Sequence, residues 1–134
     1  MSLTVVLFAV IICGCASLGK GPSDEDLIAG TLADWKAAVE AQDIDKMMAV
    51  YSEDFEGEGG AGKPEAREFI EGAKEQGYLD DAEVYLEDAE TVIEADTATV
   101  APIGLEGAFG SVDLELYLTK EADGVWRVTE SGQY

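Results

Sequence analysis

A chain of 134 residues has room for one domain around a single core. Its apolar content of 47% excludes a disordered chain. With 29 Asp and Glu against 8 Lys and Arg, the formal charge of −21 repels phosphate backbones and anionic headgroups and excludes nucleic acid as a partner.

From Met1 to Gly19 no side chain is charged, and Leu3 to Ile12 is almost wholly apolar. A helix of about 12 residues spans roughly 18 Å, short of the roughly 30 Å hydrocarbon core of a bilayer. That is the length of the apolar region of a secretory signal. The residues Ile12-Cys13-Gly14-Cys15 resemble the lipobox of bacterial lipoprotein signals: an aliphatic residue, a small one, Gly, then Cys. The resemblance implies a signal peptide over 1–14, removed on cleavage, and diacylation of Cys15 through sulfur as the new N-terminus. Ala16 after that cysteine implies, in the Gram-negative version, the outer membrane. The expectation is a lipid-anchored, periplasm-facing protein of the bacterial cell envelope. The alternative is a buried apolar segment with two inert cysteines. Residues 15–22 comprise the lipid-attachment Cys and a tether, "ASLGKGP", with a reach of at most about 25 Å. The domain is expected over 23–134.

Ser23 before Asp24, Glu25 and Asp26 is an N-cap with acidic groups where a helix dipole favours them. Ile28, Leu32, Trp35 and Val39 then mark one helical face. Asp43 caps a second helix carrying Ile44, Met47, Met48 and Tyr51, expected to end near Asp54. A third opens at Lys63-Pro64, turns Phe69, Ile70 and Ala73 inward, and stops at Gly77.

Beyond Gly77 the apolar period changes from 3.6 to 2. Short β-rich runs follow at Val84–Leu86, Thr91–Ile93, Thr97–Val100, Val112–Leu118 and Val125–Val128. Glu94–Thr97 reads as one hairpin turn. Asp123-Gly124 reads as another, of type I′. In the clearest alternation Val112, Leu114, Leu116 and Leu118 lie on one face and Asp113, Glu115, Tyr117 and Thr119 on the other. Helices first and an antiparallel meander afterwards predict an α+β domain with one sheet face covered.

The segments "AQDIDKMMAVYSEDF" (Ala41–Phe55), "GKPEAREFIEG" (Gly62–Gly72), "EADTATV" (Glu94–Val100) and "LYLTKEADGVWRV" (Leu116–Val128), in that order, resemble the nuclear transport factor 2-like superfamily and its SnoaL-like branch. The resemblance implies a cone: three N-terminal helices packed on a curved antiparallel sheet, with an apolar pocket between them. Trp35, Tyr51, Phe55, Phe69, Leu114 and Leu116 would line that pocket, with Glu58 at its mouth. Ketosteroid isomerase relatives need a carboxylate base, a tyrosine and a protonated carboxylic acid. The matching positions here are Gly59 (beside Glu58), Trp35 and Leu116, so that activity is not carried over. The dehydratase branch relies on histidines, and this chain has none.

The absence of histidine, with both cysteines in the N-terminal run, leaves the domain without a zinc–thiolate site. Glu53, Asp54, Glu56 and Glu58 crowd a Gly-rich turn, but their spacing does not match an EF-hand, and no metal or cofactor is expected. The reading is a non-catalytic module that binds a small apolar or amphipathic ligand or another protein. The alternative is an isomerase- or lyase-type enzyme using Glu58 as general base on a bound carbonyl compound. The superfamily often dimerises through the open face of its sheet. Asp113 and Glu115 on that face disfavour such a dimer here, and monomer and homodimer both stay open.

Overall fold

The computed structural model describes residues 21–134. The predicted signal over 1–14 and the acylation site Cys15 lie outside the described residues.

Helix α1 (Asp24–Glu40) starts where the sequence places it. Ser23 Oγ accepts from the Asp26 N–H, and the Asp26 carboxylate accepts in return from the Ser23 backbone, a closed capping box. Ile28, Leu32, Trp35, Ala38 and Val39 form its buried face. Helix α2 (Ile44–Val50) is capped by Asp43, whose carboxylate accepts from the Lys46 N–H at 3.1 Å. It ends short of the expected Asp54. Tyr51 already has extended backbone and opens strand β1 (Tyr51–Glu56). The reason is tertiary: β1 fills an edge slot parallel to the last strand, with Tyr51 opposite Val128, and this pairing overrides the helical spacing of Met47, Met48 and Tyr51.

A single 3-10 turn, Glu58–Gly60, links β1 to helix α3 (Lys63–Glu75), which has Pro64 in its first turn. Gly77, at φ 76°, closes α3. The Tyr78 N–H reaches the Ala73 carbonyl and the Gly77 N–H reaches that of Lys74, the two bonds of a Schellman motif.

The strands are β2 (Glu83–Tyr85), β3 (Glu90–Glu94), β4 (Thr97–Gly107), β5 (Gly110–Lys120) and β6 (Trp126–Gln133). The sheet order is β1-β6-β5-β4-β2, with β3 and β2 pairing successive halves of β4. All pairs are antiparallel except β1 with β6. Strand β4 runs well past Val100, through Pro102, Gly104 and Gly107, residues that locally disfavour strand. A bulge between Val100 and Ile103 accommodates the proline. The β5–β6 turn is not type I′, since Asp123 does not take positive φ. Only Gly124 does, at 80°, with its N–H on the Glu121 carbonyl, so a three-residue loop closes the hairpin.

Two devices fix α1 on the sheet. Asp24 accepts from Lys120 at 2.8 Å and from the Trp126 indole at 3.0 Å, which ties the helix N-terminus to the β5–β6 hairpin. At the other end, Glu40 accepts the Val84 N–H and Lys36 donates to the Val84 carbonyl. These are the backbone groups that edge strand β2 would otherwise leave unpaired, so α1 also blunts a sheet edge. The core lies between the helices and the concave sheet face: Val100, Ile103, Leu116, Leu118, Trp126 and Val128 meet the buried face of α1. The expected α+β cone, three helices on a curved sheet, is the observed one.

Candidate functional site

The side chains expected to line an internal pocket divide into two groups. Trp35, Tyr51, Phe55 and Leu116 are buried, and Leu114 is half-buried at the rim. The leucine row of β5 faces the helices because Leu116 and Leu118 share a face with Val100 and Ala98 across the β4 ladder. Phe69 is corrected: it is 78% exposed on the outer surface of α3. The residues of α3 that pack against the core are Ala66 and Ile70, which leaves Phe69 on the outward side of the helix. Glu58 lies exposed on the 3-10 turn, beside Gly59 and Gly60 at φ 76° and 81°.

Inside the cone the polar groups satisfy one another. The Trp35 indole N–H donates to the Tyr51 hydroxyl at 3.2 Å, and the Tyr51 ring meets Phe55 edge-on with centroids 4.7 Å apart. Burial pushes the Tyr51 phenol above its ordinary ionisation range, opposed by the Trp35 bond. Buried Ser52 donates to Glu121 at 3.1 Å. Among the described residues no buried side-chain nitrogen or oxygen lacks a partner. The Tyr51 hydroxyl serves here as an acceptor, hydrogen-bonded among the described residues to the Trp35 indole alone.

The clefts at the surface lie outside the cone. One, of about 390 Å³, is bounded by Met48, Ala49, Glu53, Lys63, Pro64 and Arg67. A second, of about 430 Å³, lies between the α1–α2 loop and α3 and includes Asp45, Arg67 and Lys74. Their cations are already engaged: Lys63 with Glu53 at 2.6 Å, Arg67 with Asp45 at 2.9 Å, and Lys74 with the Gln42 carbonyl at 2.8 Å. Of the crowded carboxylates near Gly59, Glu53 is thus taken up by Lys63. No three Asp, Glu, Cys or His side chains among the described residues gather with metal-ligating geometry. No helix among them is long and apolar enough to cross a membrane.

The convex face of the sheet is different in kind. Tyr85 donates its hydroxyl hydrogen to Glu83, and Glu106 lies 3.2 Å from the same oxygen. The Glu83 bond, burial and both negative charges raise the Tyr85 phenol far above its ordinary range. Tyr117 is raised in the same sense, by Glu115 first and by Glu130 as a further charge. The alternation of β5 foretells the outward course of Glu115 and Tyr117. The Tyr85 cluster was not legible, because it depends on Glu83 standing opposite Glu106, a register that no local pattern specifies.

No family model matches this chain, and no curated protein matches it. Solved structures do resemble it. A protein of unknown function with a cystatin-like fold from Nostoc punctiforme superposes with a TM-score of 0.65 at 17% identity, over 84% of this chain and 92% of the other. A ketosteroid isomerase-like protein from Erwinia carotovora atroseptica gives 0.63 at 23% identity, over 78% and 90%. An uncharacterised protein with a cystatin-like fold from Caulobacter vibrioides gives 0.65 at 15% identity, over 80% and 85%. At these identities the likeness is one of fold. The chain has the cystatin-like, nuclear transport factor 2-like α+β fold that its ordered segments imply.

Proposed function

We propose that this protein is a lipid-anchored module of the bacterial cell envelope, related to the SnoaL-like branch, that acts by binding another protein and not by catalysis. The observation that carries the reading is the Trp35–Tyr51 bond at 3.2 Å, in an interior where every buried side-chain nitrogen and oxygen among the described residues has a partner. The indole N–H that stands where isomerases hold an oxyanion donor is spent on a neighbouring side chain. Leu116 occupies the acid's position as plain core. Glu58, the candidate base, faces water. These features favour the protein-binding branch over a small apolar ligand and over proton transfer. The anchor rests on the sequence Ile12-Cys13-Gly14-Cys15. A tether from Cys15 would join the domain at the N-terminus of α1, beside the β5–β6 hairpin.

Two measurements test the two halves of the proposal. Fractionation of cells should find the wild-type protein with membranes and the Cys15→Ser variant in the soluble fraction. A wild-type chain that is soluble and retains Met1 sinks the anchor. Turnover of a panel of enolisable carbonyl compounds should be absent. Turnover that disappears in Glu58→Gln would replace the binding reading with an enzyme.

A further inference from the structure

The convex sheet face presents apolar rings to water and carboxylates without counter-charges. Strand register places Val92, Thr99, Tyr117 and Glu130 in one row across β3, β4, β5 and β6. A second row, Tyr85, Gly104 and Asp113, crosses β2, β4 and β5. Val92 is 57% exposed, Tyr85 40% and Tyr117 36%, so three of the large apolar side chains left in water share this one face.

The charges around those rings are unbalanced. Glu83 and Glu106 stand directly opposite each other, a destabilising like-charge pair, and both approach one phenol that has a single hydrogen to give. Asp113, Glu115 and Glu130 border the same surface. Among the described residues no salt bridge involves Glu83, Glu106, Asp113, Glu115 or Glu130. Arg127, the basic residue whose register places it on this face opposite Thr119, is already bound by Glu121 and Asp123.

We propose that the convex face is the docking surface of the module, and that its partner is an arginine-rich segment of another protein. This rests on the protein-binding reading above and names the surface and the chemistry. Guanidinium groups suit both features of the face. They stack on phenol rings and give forked hydrogen bonds to carboxylates, so one side chain answers a ring and its neighbouring acids together. A second copy of the chain fits poorly, since stacking two such faces would bring like charges together with no cation between them.

The test is titration of the full chain with a nonaarginine peptide at low salt, followed by fluorescence anisotropy. The double variant Tyr85→Ser/Tyr117→Ser keeps the charge of the protein unchanged and should weaken binding about tenfold. Tyr85→Phe/Tyr117→Phe keeps the rings and should stay within about twofold of wild type; it also guards against a folding artefact in the serine variant. Glu65→Gln/Glu68→Gln on the exposed side of α3 should likewise change binding less than about twofold. Equal losses in the serine and α3 variants would mean diffuse attraction to an acidic protein and overturn the proposal. So would absence of binding, or a homodimer in sedimentation that buries Tyr117. None of these results bears on the Cys15→Ser fractionation or on turnover, so the two readings fail separately.

Discussion

Strand β5 belongs to two surfaces at once, and they follow opposite rules. On its concave side Leu116 and Leu118 are almost wholly buried against the helices, and every buried polar side chain nearby has its partner. On its convex side, one residue away in each case, Glu115 and Tyr117 stand in or near water among other acids. The first surface is finished, and its energy is spent on holding the fold. The second carries partly exposed rings and carboxylates without counter-charges among the described residues, a cost that self-contained packing does not explain. The concave side is packed with the chain's own side chains, while the convex side leaves Tyr85, Val92 and Tyr117 partly in water.

The largest effects that sharpen this contrast come from the concave side. Leu116→Ala should lower stability by about 2–5 kcal/mol in urea unfolding, while Glu115→Ala one residue away should change it by no more than about 0.5 kcal/mol. Comparable losses would mean that the two faces are not distinct.

Next in size is the Trp35–Tyr51 pair. Tyr51→Phe leaves the buried indole N–H without an acceptor and should cost about 1–3 kcal/mol. Combining it with Trp35→Phe should cost less than the sum of the single changes, by about 1 kcal/mol, because the second change removes the group left stranded by the first. Strict additivity would show that the bond is not what satisfies the interior.

A smaller effect of opposite sign is expected on the convex side. Glu106→Lys replaces a like-charge pair with an opposite-charge one across from Glu83 and should stabilise the protein by about 0.2–1 kcal/mol in the same unfolding assay. It should also weaken binding of the nonaarginine peptide. Substitutions that stabilise a fold at the expense of its function concentrate at functional sites, so this pairing of outcomes would mark the face as kept for a partner.

The smallest effect is in the acid range. Hydrogen bonds from Lys120 and then Trp126 hold the Asp24 carboxyl below its ordinary range, and Lys36 with the Val84 N–H does the same for Glu40. A lowered folded-state pKa adds stability above the unfolded-state value, and that stability is lost as pH falls through the folded-state value. Thermal melts of wild type and Asp24→Asn should therefore differ at neutral pH and converge as pH drops below about 4. Solvent reaches about a third of each side chain, so screening keeps the difference small.

What could be read in advance is tied to local chemistry. Ser23 and Asp43 announced helix starts, Gly77 announced a helix end, and the alternation along β5 announced which leucines look inward, because caps and periodicity act within a few residues. The errors fall where a distant partner decides. Tyr51 continues the helical spacing of Met47 and Met48, yet β6 offers it a strand slot. Phe69 belongs to a helix with one side on the core, and its composition alone did not say which side Ala66 and Ile70 would take.

By itself the chain of residues determined its class, its helix boundaries at the capped ends, its inward leucines and its acidity, all consequences of short-range preference and hydrophobic period. The tertiary structure decided that the Trp35 indole meets the Tyr51 hydroxyl and that Glu83 stands across from Glu106. Both depend on register and helix placement between segments far apart in the chain, which only simultaneous packing of the whole core can set.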